Sequence, residues 1–468
     1  SPAYLIGSIR SLYPKLKIEG GAGVRPHKNS INNYCYPENP EAGIDLFLEK
    51  LVQETEKEHE DILEQADETD AMFGELYSWY LRNPEYRSRI QKLVQSAFAG
   101  KPKDIISQSV AKALYGEVSP YSATRLERFA ACAFAHFLQY GMKLTERVEY
   151  EFKPMDMGNV MHEALESFAE EVRKRGMKWT ELTEQERNEI ADRCLDNIVA
   201  DYGNTVLKSS ARNEYMIERT RRILRRTVWA LQKQLEQGEF QPEGFEVTFG
   251  GGRIDRVDIM EDQNKVYVKV IDYKTGNTSF DLVYLYHGLQ LQLMIYLDGA
   301  LRVEQKKYPD KEIIPAGVFY YNIKDPMIQE KIDADVEAVS AGLMKELKMN
   351  GLVQADPELV YRMDSSLGSI PVAFNKDGSF RKNSSVADRT QFAVLGRYVR
   401  TKIEKIRSSI LEGDAEVSPY ELGKKNACTY CPYMTVCGFD RRLSGYEFRR
   451  LKNFSDEELW KAFDREAE

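Results

Sequence analysis

Asp272 and Lys274 stand two residues apart at the end of an apolar run, in the stretch "VIDYKTG" at 270–276. Side chains on a strand alternate between its two faces, so this acid and this lysine point to the same side. Such a pair is either a surface ion pair at a strand end or half of a metal-dependent catalytic site. The motif alone leaves both interpretations open, and the surface pair is the commoner one.

A second acidic stretch, "GGRIDRVDIM" at 251–260, returns through the turn "MEDQNK" into the strand that carries Asp272. A hairpin of this kind would bring Asp255 close to Asp272. Two converging carboxylates repel each other unless a cation lies between them, and such oxygen ligands suit Mg²⁺ or Mn²⁺. With Lys274 facing the same pocket, the set is suited to metal-assisted phosphodiester hydrolysis.

His162 is one of only five histidines and lies on a predicted helix in "DMGNVMHEALESF" at 156–168. A lone helical histidine is more often structural than a ligand. A neutral imidazole could nevertheless complete a site that already holds two carboxylates.

The elements that must position these residues follow from the spacing of apolar side chains. Helices are predicted over 41–115 and 158–237, and "LVYLYHGLQLQLMIYLDGALRV" is predicted to be one long helix packed on a sheet. Strands are predicted at "FEVTFG", "GRIDRVDIM", "KVYVKVIDY" and "AGVFYYNI". The class is α/β, with a small mixed sheet flanked by many helices and a mainly helical N-terminal region.

Composition narrows the function classes for this chain of 468 residues. Its net charge of −9 argues against a uniformly basic nucleic-acid-binding surface, although a local basic channel remains possible. We expect no membrane-spanning segment, because no apolar run reaches about 18 residues. No G-x-x-x-x-G-K-[ST] pattern occurs, so we expect no ATPase site in this chain.

Three of the six cysteines are closely spaced, and Cys132 lies far upstream of them in "LERFAACAFAHFLQYG". The three closely spaced cysteines are Cys428, Cys431 and Cys437. Three thiols need a fourth ligand for a closed site, and Cys132 is the reasonable donor. On spacing alone zinc is the first interpretation and iron–sulfur the second. Cys35 and Cys194 are not assigned to this site. The irregular spacing of the six cysteines favours a reducing compartment.

Four motifs occur in a characteristic order, and together they resemble the nuclease domain of the RecB family, a branch of the PD-(D/E)XK nucleases. They are Gly158-x₃-His162-x₂-Leu165-Glu166, Gly252-Arg-Ile-Asp255-Arg-Val-Asp258, Ile271-Asp272-Tyr273-Lys274 and Gln292-x₃-Tyr296. The resemblance implies a restriction-endonuclease-like core. It also implies metal ligation by His162, Asp255 and Asp272, a water-activating Lys274, and positioning of the DNA strand by Gln292 and Tyr296. Asp258 is left as an outer-shell or structural residue.

A narrower resemblance, to AddB-type (RexB-type) subunits of bacterial helicase–nucleases, covers residues from about 111 to 440. It is carried by "SATRLERFAACAFAHFLQYGMKL", "HGLQLQLMIYL" and the cysteine tail. It implies a [4Fe–4S] cluster on Cys132, Cys428, Cys431 and Cys437 that joins the two ends of the nuclease domain. It further implies an AddA-like partner subunit, single-stranded or duplex-end DNA as substrate, and a bacterial cytoplasmic location.

The same resemblance divides the chain into a helical remnant of a helicase-like region at 1–115, the nuclease domain at 116–440 and a helical tail at 441–468. One departure from the AddB-type pattern concerns "FEVTFGGGRIDRVD", which is continuous here. Related chains usually carry a sizeable insertion at this point. Either the loop is short or residues are missing between Gly250 and Arg253.

Basic residues recur at helical spacing in two segments. Arg219, Arg222 and Arg226 share one helical face, and a second cluster comprises Arg397, Arg400, Lys405 and Arg407. Each is either a solvated charged helix or a set of phosphate contacts without base specificity.

The leading prediction is a Mg²⁺-dependent DNA exonuclease domain, acting on single-stranded ends inside a complex that processes double-strand breaks for recombination, with the 5′-ended strand implied by resemblance. Two other functions stay open. One is a nuclease-like DNA-binding or scaffold subunit that has lost catalysis, and the other is a zinc-stapled protein of unrelated function.

Overall fold

A computed structural model describes most of the chain, namely residues 12, 40–56, 68–97, 105–116, 122–145, 154–201, 210–250, 252–328, 335–443 and 445–467. The chain divides into two compact units. The first comprises residues 1–102 and 442–445, and the second comprises 103–441 and 446–468. Cys35 lies outside the described residues.

The described part of the first unit is helical, with α1 Pro40–Glu56, α2 Glu68–Arg82 and α3 Pro84–Ala97. These helices share a small apolar core around Phe47, which stacks on Phe73 and Tyr77.

The second unit begins with helices that precede its sheet: α4 Gln108–Tyr115, α5 Ala123–Ala131, α6 Ala133–His136, α7 Pro154–Lys174, α8 Glu184–Asp201 and α9 Ala211–Glu236. A π-helical turn, Phe137–Gly141, continues α6, and a 3-10 turn, Trp179–Glu181, precedes α8. Ser122 starts α5 by accepting a hydrogen bond from the backbone of Arg125.

The central sheet has six strands in the order β1-β2-β3-β4-β5-β6. The first three strands, β1 Gln241–Phe249, β2 Gly252–Asp262 and β3 Lys265–Lys274, pair antiparallel. β3 then runs parallel to β4 Glu312–Asn322, and a parallel pair requires a long crossover. Here the crossover is helical, with α10 Leu282–Tyr286 and α11 Gln292–Lys307.

The chain after β4 completes the sheet and covers it. In order, these elements are α12 Val336–Glu346, β5 Asn350–Gln354, α13 Pro357–Met363, β6 Val386–Ala387, α14 Arg389–Glu412, β7 Tyr420–Leu422, β8 Lys425–Asn426, α15 Met434–Cys437, β9 Arg449–Arg450 and α16 Asp456–Ala467. β7, β8 and β9 form a separate small sheet.

Two apolar cores flank the central sheet. One joins α7, α8 and α9 to residues such as Ile271 and Phe319, and the other joins α5, α11 and α14 to residues such as Val268 and Val318. The expected mixed sheet flanked by many helices is therefore confirmed. Among the described helices, none is long and apolar enough to cross a membrane.

α4 and α16 lie near the two ends of the second unit in the sequence, and their contacts show what they pack against. Ala111 and Tyr115 of α4 are buried in the core of the second unit, and so are Leu459 and Phe463 of α16. α4 and α16 thus pack with the sheet-containing unit.

The predicted single helix over 282–303 is wrong, because α10 ends at Tyr286 and α11 begins at Gln292. Gly288 has a φ of 78°, a left-handed value that favours glycine and terminates α10. The break between α10 and α11 matters for the candidate site, since it places Gln292 in the first turn of α11.

Candidate active site

Three acids lie side by side on the first three strands of the sheet. Arg256 pairs with Ile271 across β2 and β3, so the next position brings Asp255 opposite Asp272, as the hairpin predicts. The β1–β2 register on both sides of Glu246 likewise places that residue opposite Asp255. Adjacent carboxylates on one sheet repel each other, so this row needs positive charge beside it.

His162 of α7 faces the first two acids of the row. Its Nδ1 lies 3.4 Å from Asp255 Oδ2 and 3.8 Å from Glu246 Oε1. Burial disfavours the charged imidazole, but the hydrogen bonds and negative charges of the two acids prevail and raise the pKa of His162 to about 10. A Cβ on Gly158, one turn earlier, would lie 3.4 Å from Thr275 Oγ1, so α7 passes directly against the end of β3.

Asp272, Lys274 and Gln292 form a closed ring of contacts. Lys274 Nζ lies 2.7 Å from Asp272 Oδ2 and donates to Gln292 Oε1 at 2.7 Å. Gln292 Nε2 donates back to Asp272 Oδ1 at 2.8 Å and to the Tyr296 hydroxyl at 2.9 Å. The Lys274 side chain is 28% exposed, whereas that of Asp272 is 2% exposed. The side chain of Lys274 is therefore partly accessible to solvent, whereas that of Asp272 is buried.

Asp272 is held in a strongly perturbed environment. Burial raises its pKa, and the charge of Asp255 raises it further, while Lys274 and His162 act in the opposite direction. Asp255 is fixed by the backbone, since the N–H of Tyr273 donates to its Oδ2 at 2.7 Å. The contacts of Asp255 are thus made by its Oδ2, whereas both oxygens of Asp272 are engaged, Oδ1 by Gln292 and Oδ2 by Lys274.

The structure brings all the predicted catalytic residues to one end of β2 and β3. Ligand atoms of His162, Glu246 and Asp255 lie within 4.8 Å of one another, a spacing that suits a metal ion. Glu246 was missed by sequence reasoning. Extending the hairpin register by one strand, to the acid in "FEVTFG", is the signal that could have found it.

Asp258 belongs to a different environment. It is fully buried and accepts two hydrogen bonds from Arg256, at 2.6 and 2.9 Å, with Lys269 Nζ at 3.0 Å. These two cations lower its pKa against the opposing effect of burial. Asp258 therefore neutralises a buried pair of cations in the sheet, in line with a structural role.

Comparison with known proteins identifies the family. The family model described as PD-(D/E)XK nuclease superfamily matches residues 120–438. The chain belongs to this superfamily. The match spans the acid row, Lys274 and all four cysteines of the predicted cluster site.

Curated relatives share one name, as the B subunit of an ATP-dependent helicase/deoxyribonuclease. The chain is 39% identical to the protein of Lachnoclostridium phytofermentans, over 100% of this chain and 40% of that protein. It is 34% identical to that of Thermoanaerobacter sp., over 86% of this chain and 37% of the relative. For Clostridium acetobutylicum the identity is 31%, over 99% of this chain and 41% of the relative. The chain spans about two-fifths of the length of these proteins.

The four predicted cluster cysteines line one cavity, although Cys132 is separated from the others by most of the unit. Burial and the three neighbouring thiols raise the pKa of Cys428 to about 12. Burial also raises the pKa of Cys132, while hydrogen bonds from the backbone of Ala135, Ser418 and Phe134 favour its thiolate. Four cysteine side chains that line one cavity are a ligand set of the kind that can hold a metal ion once the thiols lose their protons. The fifth described cysteine, Cys194, is buried in the core beside α7.

The predicted phosphate contacts lie on α9 and α14. Arg222 pairs with Asp325 at 2.6 Å, close to the end of β4, and Arg226 stacks over Trp229. Arg219 and Arg397 are exposed, and Arg400 pairs with Asp298 of α11 at 2.9 Å. Lys405 and Arg407 contact Glu466 and Glu404 respectively. Several of these charges are thus partly neutralised within the protein.

Proposed function

We propose that this chain is a metal-dependent DNA exonuclease domain that hydrolyses phosphodiester bonds at single-stranded ends. The observation that carries the proposal is the row of Glu246, Asp255 and Asp272 with the Lys274 amino group 2.7 Å from the last of them. Membership of a nuclease superfamily and the shared name of the relatives support it.

A divalent cation fits the donor set of His162, Glu246 and Asp255, whose ligand atoms are carboxylate oxygens and an imidazole nitrogen. Binding the cation would require His162 to release the proton that the two acids stabilise on its ring. Asp272 is the predicted further ligand. When bound, such an ion would supply Lewis-acid stabilisation of the charge that develops on the phosphate.

The remaining residues act by position and charge. Lys274, fixed between Asp272 and Gln292, is placed to orient an attacking water and to stabilise negative charge. Gln292 holds both the lysine and the acid in one geometry, and Tyr296 anchors the amide of Gln292. In this proposal Gln292 and Tyr296 also contact the DNA strand.

The cysteine cavity is the proposed site of a [4Fe–4S] cluster on Cys132, Cys428, Cys431 and Cys437. The N–H of Phe439 donates to Cys437 Sγ at 3.4 Å, a contact typical of thiolates that hold a metal centre. The resemblance to AddB-type nucleases favours iron–sulfur over zinc. The cluster would tie the beginning of the nuclease domain to its end.

The proposed domains, partner, location and strand polarity rest on the resemblance to the relatives. We propose that residues 1–115 are the end of a helicase-like region, 116–440 the nuclease domain and 441–468 a helical tail, with α4 and α16 of the two flanking segments packed on the nuclease domain. In this proposal the chain works with an AddA-like partner in the bacterial cytoplasm and cuts the 5′-ended strand.

The test is cleavage of end-labelled single-stranded DNA by the 468-residue chain with Mg²⁺, with Mn²⁺ and with EDTA. Wild type should cleave only with metal, and comparison of 5′ and 3′ labels gives the polarity. Asp272→Ala should abolish cleavage, whereas Asp310→Ala, an exposed acid in a turn, should not. Wild-type activity in Asp272→Ala would refute the assignment. Binding without cleavage in either metal would instead establish the DNA-binding scaffold.

A further inference from the structure

Helix α11 carries Gln292 and Tyr296, yet its own sequence cannot cap its first turn. Leu291 occupies the N-cap position and offers no side-chain hydrogen bond. The first N–H groups of a helix need acceptors, and most helices find one in a Ser, Thr, Asp or Asn at this position.

The missing acceptor comes from Glu127, more than 160 residues earlier in the chain. Its Oε1 accepts from the backbone N–H of Leu291 at 2.7 Å and from that of Gln292 at 2.9 Å. A carboxylate at this end also interacts favourably with the helix dipole. Because the second bond ends on Gln292 itself, Glu127 fixes the backbone of a residue in the Asp272–Lys274–Gln292 ring.

Glu127 is held rigidly enough to serve this purpose. α5 buries Leu126, Phe129 and Ala130 in the core that contains α11. A Cβ on Gly288 would lie 3.3 Å from the Cβ of Ala130, so α5 also contacts the turn that leads into α11. The next residue of α5, Arg128, donates to Cys431 Sγ at 3.8 Å.

We infer that Glu127 is a positioning residue of the nuclease site. Its carboxylate sets the start of α11 and thereby the geometry in which Gln292 holds Lys274 and Asp272. In this inference Glu127 acts through Gln292 and not on the substrate, since its Oε1 accepts from two backbone N–H groups at the start of α11. The kinetic consequence rests on the proposed nuclease function, whereas the structural consequence does not.

The kinetic test compares Glu127→Leu, which removes the acceptor, with Glu127→Gln, which keeps an acceptor oxygen. Misplacing a catalytic group by about 1 Å can cost about a hundredfold in rate. We therefore expect Glu127→Leu to lower kcat on single-stranded DNA by about ten- to a hundredfold, with KM nearly unchanged. Glu127→Gln should stay within about threefold of wild type, because a neutral acceptor retains both bonds.

A double-mutant cycle separates positioning from a general structural role. Gln292→Ala should lower kcat in the wild-type background and have little further effect in Glu127→Leu. Fully additive losses, or a Glu127→Leu variant with wild-type kcat, would overturn the inference. Glu337→Leu, an exposed glutamate in the first turn of α12, is the matched control and should leave kcat unchanged.

Hydrogen exchange measured by mass spectrometry tests the same inference without activity. Glu127→Leu should speed exchange in peptides covering 288–296, while Glu127→Gln and Glu337→Leu should not. If wild type fails to cleave DNA, the proposed function fails and this measurement alone decides the role of Glu127. An unchanged exchange rate in Glu127→Leu would refute the positioning role of Glu127. If Glu127→Leu does not fold, Glu127→Ala takes its place in both experiments.

Discussion

Glu246 and Asp255 lie opposite each other on adjacent antiparallel strands, and both direct a carboxylate oxygen toward Nδ1 of His162. Glu246 adopts a φ of 49°, a left-handed conformation that is rare for a residue with a side chain. Such conformations concentrate at functional sites, where the surroundings hold them in place. The two acids therefore have the proximity expected of metal ligands, and Glu246 also has the strained backbone typical of functional sites.

Replacing Glu246 with Gln should weaken metal binding, because one of the three proposed ligands loses its charge. We expect a loss in Mn²⁺ affinity of about tenfold or more, measured by titration calorimetry. Glu243→Gln is the control, since Glu243 lies on the same strand but contacts Lys307. Equal affinities for the two variants would show that Glu246 is not a ligand.

Replacing Lys274 with Met should separate catalysis from metal binding. The substitution removes the charge beside Asp272 but no proposed ligand, so kcat should fall by about a hundredfold or more. Mn²⁺ affinity should fall far less than in Glu246→Gln. A variant that cleaves at the wild-type rate would refute a role for the lysine in activating water.

Cysteine substitutions should test the proposed metal centre. Cys437→Ser is expected to lose iron and visible absorbance when the protein is purified without air, because a thiolate ligand is removed. Cys194→Ala should retain both, since this cysteine is buried in the core formed by α7, α8 and α9 and does not line the cavity. A colourless wild-type protein that contains zinc would exclude the iron–sulfur assignment.

Arginines of α9 should contribute to DNA binding through phosphates. Replacing Arg219, Arg222 and Arg226 with Ala should weaken single-stranded DNA binding without changing sequence preference. The slope of log affinity against log salt should decrease by about 0.7 for each phosphate that the variant no longer neutralises. Arg225→Ala is the control, because Arg225 bonds Asp192 of α8. An unchanged slope in the triple variant would place the DNA elsewhere.

His136 should make the fold sensitive to acid. Burial, reinforced by Arg125 and Arg128, lowers its pKa from 6.5 to about 3. Below pH 6.5 the unfolded chain takes up a proton that the folded chain does not, so the free energy of unfolding falls as pH falls toward 3. The loss attributable to this group approaches about 1.4 kcal/mol per pH unit.

The measurement is urea unfolding of wild type and His136→Gln at several pH values. Glutamine does not titrate, and its amide oxygen can still accept the hydrogen bond that Arg125 donates to the ring. The variant should therefore show a shallower dependence of stability on pH between about 6.5 and 4. Parallel curves would mean that other groups dominate acid unfolding.

Much of the site was predictable from local sequence patterns. Strand alternation places Asp272 and Lys274 on one face, and the short turn after Met260 brings Asp255 opposite Asp272. These relationships hold within a single hairpin, where the spacing of residues along the chain determines the spacing in space. The ordered motifs likewise indicated the family that the comparison confirms.

The missed features depend on distant parts of the chain. Apolar periodicity continues through 282–303, so it could not reveal that Gly288 breaks the helix ahead of Gln292. The capping of α11 by Glu127 joins segments more than 160 residues apart. No local pattern encodes such a contact, because it forms only when two helices pack into the same core.

The sequence by itself determined the chemistry of the candidate site: two acids, a lysine and a histidine in an order typical of one nuclease superfamily. The tertiary structure alone decided which groups from distant parts of the chain lie together. It added Glu246 to the acid row, assigned Glu127 to the start of α11 and brought Cys132 into a cavity with the three late cysteines. Residue types and short spacings are properties of the chain, whereas contacts between distant residues depend on how its helices and strands pack.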